Sequence, residues 1–406
     1  MSTNQPPARA SVQVTAPAPV QDPPVLRRQR RPGRIGGVSI IQILVVEGVL
    51  VAVAAAFFHY PIVGLAALLL GVLLLVVSFG RSRGRWWTET LMLRWQLRRR
   101  RRIPVVPDGD LRLTTLRHLI PDLVVHEHQI PGGERVGVGQ DGAGWFAVTA
   151  VLPSAGLRGD ERPPIPYDAL ARELADIGQP GTTLQVVTHT VPAAATTRQG
   201  LTYAESYREL LGSVGIAPPQ EQTFWIAVRA DMRSVASGTA AGEDMAALLS
   251  TAARRAMKLL RRQGLRAALL DRDGVLDALG TSCGVSGHRP GQSEIRERWA
   301  AWHADALAHA CFWVRTWPAP AGGGMLLERL AAVPAQFTSV SVTLEPREAE
   351  VGMRCLVRVV APPEALEASC LALQASARQG GATLFRLDGE HAPAVYASAP
   401  GGGGVS

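Results

Sequence analysis

The sequence predicts a membrane protein: an N-terminal two-helix transmembrane hairpin followed by a mixed α/β cytoplasmic region. Three observations predict it. Two apolar stretches, 38–58 and 62–79, lie close together near the start of the chain. Arginines crowd both outer flanks of the pair and none lies between them. From Ile103 onward, strand-like and helix-like patterns alternate.

The first stretch is 21 residues long and the second 18. At a helical rise of about 1.5 Å per residue, each is about long enough to cross a hydrocarbon core of roughly 30 Å. Only His59-Tyr60-Pro61 separates them, so the helices must turn back tightly, and Tyr60 suits the headgroup layer. Arg27, Arg28, Arg30, Arg31 and Arg34 precede the first span, while Arg81, Arg83 and Arg85 follow the second. This bias predicts a multi-pass protein of the cell membrane with both termini and the soluble domain in the cytoplasm. A cleaved signal peptide is excluded, because 37 residues containing Pro and Arg come first and a second span follows. Glu47 lies near the middle of the first span, where a charge costs about 2.5–3.5 kcal/mol. Gln42 and Glu47 are therefore candidates for contact with a neighbouring subunit's helix; a tolerated neutral acid and transport chemistry are the other readings.

The net charge of +8 is unevenly placed. Residues 1–102 hold 15 arginines against three acids, whereas the rest carries 27 basic and 31 acidic groups. Basic charge packed beside a span reads as topology and attraction to anionic lipid, so no nucleic acid is expected as partner. Residues 1–34 read as a disordered basic tail. Residues 81–102 read as a basic juxtamembrane helix after the hairpin at 35–80. Tyr60, Trp86, Trp87, Trp95, Arg98, Arg99, Arg100, Arg101 and Arg102 are the candidate membrane-interface residues.

The soluble region divides into 103–280 and 281–398, followed by a flexible tail at 399–406. Arg135–Val138 and Trp145–Leu152 flank a glycine-rich hairpin turn. Helices are expected at Tyr167–Ile177, Tyr203–Val214, Glu243–Gln263 and Glu364–Arg378. Strands are expected at Thr182–Thr190, Thr223–Ala230, Leu265–Leu270, Trp299–His303, Leu307–Trp317, Phe337–Leu344, Met353–Val360 and Thr383–Leu387. The run from Phe224 to Arg229, a helix, Arg262-Gln-Gly264, a strand and Leu270-Asp271 is echoed by Cys355 to Arg358, a helix, Arg378-Gln-Gly380, a strand and Leu387-Asp388. Either two related subdomains or coincidence in an Arg- and Ala-rich chain accounts for it. Cys283, Cys311, Cys355 and Cys370 form no CxxC pair and read as free, mostly buried thiols.

The catalytic motifs fail on context. Gly137-Val-Gly139-Gln-Asp-Gly142 matches GxGxxG but precedes a strand, so it reads as a hairpin turn. Gly280-Thr-Ser282-Cys-Gly284 matches GxSxG, yet turn-forming residues follow where a nucleophile elbow needs a helix. Asp271 and Asp273 could hold a cation between nucleotide phosphates, which keeps a membrane-tethered, metal-dependent nucleotide-sugar transferase as the alternative function; the structural reading has Asp273 capping a helix Gly274–Leu279. His126-Glu-His128 lacks zinc spacing, and His303, His309 and Cys311 lack a fourth ligand. No catalytic residue, cofactor, metal or small-molecule substrate is expected.

The layout, together with Gly84-Arg85-Trp86-Trp87, Leu91-Met-Leu93-Arg94-Trp95, the poly-Arg neck and the closing Gly389-Glu-His-Ala-Pro-Ala-Val-Tyr396 segment, resembles EccE, a membrane component of the type VII (ESX) secretion machinery of actinobacteria. The resemblance implies a non-catalytic structural subunit of a membrane complex for protein transport. Its cytoplasmic domain would contact EccB, EccD and EccC, of which EccC supplies the ATPase. This chain has no GxxxxGK[ST] of its own.

Overall fold

The computed structural model describes residues 26–28, 34–35, 38–82, 85–130, 133–153, 163–177, 181–192, 220–232, 242–285, 294–318, 323–347 and 350–403. The expected helix Tyr203–Val214 lies outside these residues. The chain enters with β1 (Leu26–Arg28) and a small hairpin of β2 (Arg34–Ile35) and β3 (Val38–Ser39). Helices α1 (Ile40–His59) and α2 (Pro61–Phe79) then pair back to back across Tyr60. Glycine lets them approach: a methyl at Gly64 would lie 2.5 Å from the Phe57 ring, and one at Gly71 would lie 2.7 Å from Val49. By length and composition α2 can cross a membrane, whereas the described side chains of α1 form a shorter apolar helix, Ile43–His59.

A tight turn of β4 (Arg81–Ser82) and β5 (Arg85–Trp86) leads into α3 (Trp87–Arg100) and α4 (Leu111–Leu116). The remainder folds around one sheet of 13 strands, of which β1 is one, paired parallel with β16. Its elements are β6 (Val124–Gln129), β7 (Arg135–Asp141), β8 (Gly144–Val151), α5 (Tyr167–Ile177), β9 (Thr182–Pro192), β10 (Gln220–Asp231), α6 (Gly242–Arg262), β11 (Ala267–Leu269) and α7 (Arg272–Cys283). They continue with β12 (Ile295–Glu297), β13 (Trp302–Ala304), β14 (Leu307–Thr316), α8 (Gly323–Ala331), β15 (Phe337–Arg347), β16 (Glu350–Ala361), α9 (Leu366–Gln379), β17 (Thr383–Arg386) and α10 (His391–Ala397).

The same order of elements thus occurs twice, three meandering strands, a helix, a hairpin, a helix, a short strand and a helix. The spatial order β12-β13-β14-β16-β15-β9-β10-β8-β7-β6 is symmetric about the antiparallel β15–β9 seam, where Val342 faces Val186. β11 flanks β8 as β17 flanks β14. The echo in the sequence is therefore a topological repeat whose halves share one sheet. The first half ends with α7 and the second begins at β12.

Period decides which side each element buries. Along α6, Met245, Leu249, Ala252, Ala253, Ala256, Met257 and Leu260 form a buried stripe at helical spacing. With α5, α8 and α9 this helix covers one face of the sheet, over Val186, Val342 and Leu344. On the opposite face α4, α7 and α10 cover Phe146, Val148, Val187, Trp225 and Cys311. All four cysteines are free and buried.

Four local expectations need correction. Within the tail 1–34 expected to be disordered, Leu26–Arg28 forms β1, paired with β16, and Arg34 begins β2. The strand expected at Trp299–His303 is confined to Trp302–Ala304, because Arg298 N–H donates to Ala301 O at 2.8 Å and folds that segment into a turn. The helix expected from Gly274 begins at Arg272 and is capped by Asp271, whose carboxylate accepts Gly274 N–H at 2.9 Å. It runs on to Cys283 and stops at Gly284, whose φ of 71° suits a residue without Cβ. Finally, residues 399–403 of the expected flexible tail are buried on the sheet.

Candidate functional site

The geometry gathers its polar chemistry where α3 meets the sheet. Phe79 at the end of α2 packs edge-on against Trp86 at 6.1 Å, and Glu89 accepts Trp86 N–H at 3.2 Å, which together fix the start of α3. Trp87, Leu91 and Trp95 recur every fourth residue, and all three, with Met92, are exposed. Leu97 turns inward and is buried. The helix therefore presents an apolar stripe outward and grips the domain with its other face.

That grip is ionic. Arg85 donates to Glu390 at 2.8 Å and lies over the Phe385 ring at 5.0 Å. Arg94 lies over Trp299 at 5.5 Å. Arg100 forks onto both Glu297 oxygens at 3.1 Å and also donates to Gly389 O at 2.6 Å. Arg101 Nε donates to Glu297 O at 2.8 Å, and Glu297 accepts Ala392 N–H at 3.1 Å. Glu297 is only 7% exposed, so this fork joins α3, β12 and α10 at a carboxylate that is itself largely shielded, with Arg100 half-buried. Beside it His391 Nδ1 accepts Cys311 N–H at 3.2 Å, and its Nε2 meets Asp388 at 3.5 Å. Burial works to raise the Asp388 pKa, but the His391 hydrogen bond and the Arg386 and Arg85 charges hold it below the usual carboxylate value.

The interface residues named from the sequence divide here. Tyr60 is exposed at the α1–α2 turn and Glu47 is exposed on α1; Gln42 lies in α1, and its side chain is outside the described set. Trp87 and Trp95 are exposed, whereas Trp86 packs against Phe79. Arg98, Arg99, Arg101 and Arg102 are exposed, and Arg99 stacks over Trp95 at 5.7 Å. Arg100, half-buried, and Arg101, through Nε, bond to the domain.

A second polar cluster, on the sheet face under α10, was missed altogether. Arg229 forks onto Asp141 at 2.7 and 2.8 Å and donates to Gly401 O at 2.8 Å. Tyr396 O–H donates to the same carboxylate. Gln185 Oε1 accepts Gly401 N–H at 2.9 Å and Gly403 N–H at 3.2 Å, so the C-terminal segment straps the face beside the β9–β15 seam. Burial opposes ionisation of Asp141, yet the Arg229 contact keeps its pKa below the ordinary value. The only sequence sign was Arg229 at the matched end of the internal echo.

The catalytic motifs take structural places. The GxGxxG glycines lie in the β7–β8 hairpin, and a methyl at Gly137 would lie 2.5 Å from Asp271 O, so close packing on α7 accounts for that glycine. Ser282 of GxSxG is buried in the last turn of α7. Asp273 is exposed, between Arg112 at 2.6 Å and Arg272 at 3.3 Å. Among the described residues no group of three or more His, Cys, Asp or Glu side chains gathers as a metal site. The arrangement is built to hold segments together.

No curated protein matches the chain. Residues 218–314, from just before β10 to near the end of β14, match the family model described as "Putative type VII ESX secretion system translocon, EccE", the family that the sequence resembles, although the stretches that carried the resemblance, 84–102 and 389–396, lie outside the match.

Proposed function

We propose that this chain is a non-catalytic structural subunit of a type VII (ESX) secretion membrane complex. The match to EccE points to a translocon component. In this reading α1 and α2 form a two-span hairpin, α3 lies on the inner leaflet, and the α/β domain in the cytoplasm contacts the other components, those that the resemblance implies being EccB, EccC and EccD.

One observation carries the topology. Residues on both sides of the hairpin return to the same domain: β1, ahead of α1, pairs with β16 through Leu26 opposite Val351, while Arg85, after α2, pairs with Glu390. A chain that leaves and re-enters one domain around two apolar helices crosses the membrane an even number of times. The arginines flanking both helices support the cytoplasmic side. Glu47, exposed on α1, is then the polar group offered to a neighbouring subunit's helix, with Gln42 on the same helix. The transferase alternative gains nothing from the geometry, because Asp271 caps α7 and Asp273 is engaged by arginines.

The test is a mild-detergent pull-down of the tagged chain, with mass spectrometry of what accompanies it and a parallel sample lacking residues 35–80. Recovery of an ATPase and multi-span secretion components with the intact chain, reduced without the hairpin, is the expected result. Emergence of the intact chain alone would sink the proposal. Glu47→Gln should then weaken recovery of membrane partners without affecting the soluble domain's protease resistance.

A further inference from the structure

Below the C-terminal end of α3 the structure holds an open cavity of about 330 Å³. Its wall includes Arg100, Arg101, Arg117, His118 and Arg296, with Glu297 as its one carboxylate. Ile103, Val105, Leu119, Ile295 and Trp302 supply an apolar floor. Two arginines are already committed: Arg100 to Glu297, and Arg117 to Leu123 O, Val106 O and Asp108. Among the described residues Arg101 bonds through Nε, to Glu297 O, and Arg296 meets the exposed Glu294 at 3.4 Å. Their remaining guanidinium N–H groups give the cavity a surplus of positive charge beside an apolar wall.

We propose that this cavity receives the phosphate-bearing headgroup of an anionic lipid, held by Arg101 and Arg296. The position of the cavity argues for this source. Its rim is the end of α3, the helix whose Trp87, Leu91 and Trp95 stripe faces outward. A helix of 14 residues lying on that stripe keeps both its ends at headgroup depth. Arg98, Arg99 and Arg102 supply diffuse attraction, whereas Arg101 and Arg296, also exposed, line the cavity and can converge on one ligand. The proposal rests on the reading of α1 and α2 as membrane-inserted.

The test uses the full chain reconstituted with vesicles of neutral phosphatidylcholine alone, or with phosphatidylglycerol added, followed by native mass spectrometry of retained lipid. Inorganic phosphate serves as competitor. Arg101→Gln with Arg296→Gln should lower phosphatidylglycerol retention by roughly 25-fold, about fivefold per arginine. Arg255→Gln with Arg262→Gln on α6 removes the same charge elsewhere and should leave retention unchanged. Equal loss in both double variants would show diffuse surface attraction and overturn the site. Displacement of the lipid by millimolar phosphate would overturn the lipid as occupant and leave a simple anion site. A chain that floats with neutral vesicles but shows no preference for phosphatidylglycerol overturns this proposal alone. A chain that floats with neither vesicle overturns the membrane reading beneath it.

Discussion

Arg229 and Arg358 stand at matching register positions in the two halves of the sheet. Arg229 on β10 faces Thr183 and Phe146, and Arg358 on β16 faces Ser339 and Cys311. Both are buried, at 2% and 0% exposure. Their surroundings differ in kind. The first half supplies a carboxylate, Asp141, in a two-point fork, with Tyr396 and the C-terminal strap closing over it. Around Arg358 the described residues supply only neutral groups: Ser282 O and Oγ from α7, Ser339 Oγ at 3.1 Å and His309 Nδ1 at 3.3 Å, with Phe337 under the guanidinium at 5.7 Å. One framework therefore carries a compensated and an uncompensated buried charge, and compensation should decide how each half answers to perturbation.

The largest effect is expected where a compensated pair is halved. Asp141→Ala strands Arg229 in the core, at a cost of about 3–5 kcal/mol. Pulse proteolysis of the full chain in urea, in detergent, should show a correspondingly lower unfolding midpoint. Removing both partners, Asp141→Leu with Arg229→Met, should restore most of the loss. A single variant within about 1 kcal/mol of the parent would mean that water reaches the pair and that the contrast between the halves is false.

Next in size is a pH response of the buried histidines, His189 in the first half and His309 and His391 in the second. Burial pushes His189 down to about 3, and burial with the nearby Arg358 charge holds His309 well below its ordinary value. His391 is also lowered by burial, in part offset by Asp388. A histidine that binds its proton less readily when folded takes up more protons unfolded, so its contribution is intact above about pH 6.5 and is lost as the pH falls toward the folded value. Each group contributes a slope of up to about 1.4 kcal/mol per pH unit. Asp141 and Asp388, held low in the fold, begin to add to the loss only near pH 4 and below. His303 is lowered as well, by partial burial and the Arg298 and Arg296 charges, so His309→Gln should flatten the slope between about pH 6.5 and 4 by roughly one quarter, the four histidines counted alike. In the first half the position matching His309 is Gly144, so Asp141→Ala should leave that slope unaltered. A stability curve flat from pH 7 to 5 would refute the buried neutral histidines.

A smaller change is expected of Tyr396→Phe, which deletes one of five hydrogen bonds to Asp141 while leaving the Arg229 fork and the Ala143 and Gly144 N–H groups. A loss of about 1 kcal/mol in the same urea assay fits a single hydrogen bond to a charged group within an intact network. No measurable loss would assign the strap's hold to Gln185, Arg229 and Arg354, which donates to Gly403 O.

Local pattern made much of this legible. The limits of α5 were read from its apolar spacing as Tyr167–Ile177, and those of α6 to within one residue at each end. The β7–β8 hairpin followed from its glycine-rich turn. What stayed hidden depends on partners far away in sequence. Nothing in Val186 or Val342 says that they face each other, because an alternating strand pattern fixes which face is buried and not which strand lies beside it. The Pro400–Gly403 run reads as flexible by composition, yet Gly402 is pressed against Tyr396 O and Gly401 against Phe146, where a side chain would collide. Similarly, five consecutive arginines carry no sign of which will turn back to a single acid, Glu297, nearly two hundred residues away.

The most delicate test is Arg358→Met, because two sizeable terms oppose one another. Removing the guanidinium relieves a buried charge for which no carboxylate compensates among the described residues, and burial already lowers the Arg358 pKa, a sign that the environment disfavours the charged form. It also leaves Ser282 O and Ser339 Oγ without this donor, at about 1–3 kcal/mol for a buried unsatisfied group. Methionine fills similar space and adapts to the Phe337 and Trp302 surroundings. The net change is therefore expected within about 1 kcal/mol of the parent, of either sign, against several kcal/mol for Arg229→Met, which abandons Asp141 in the core. Equal losses at the two positions would mean that a counter-charge for Arg358 comes from outside the described residues. A clear gain at Arg358 with a clear loss at Arg229 would show that compensation, and not register, sets the worth of a buried arginine in this sheet.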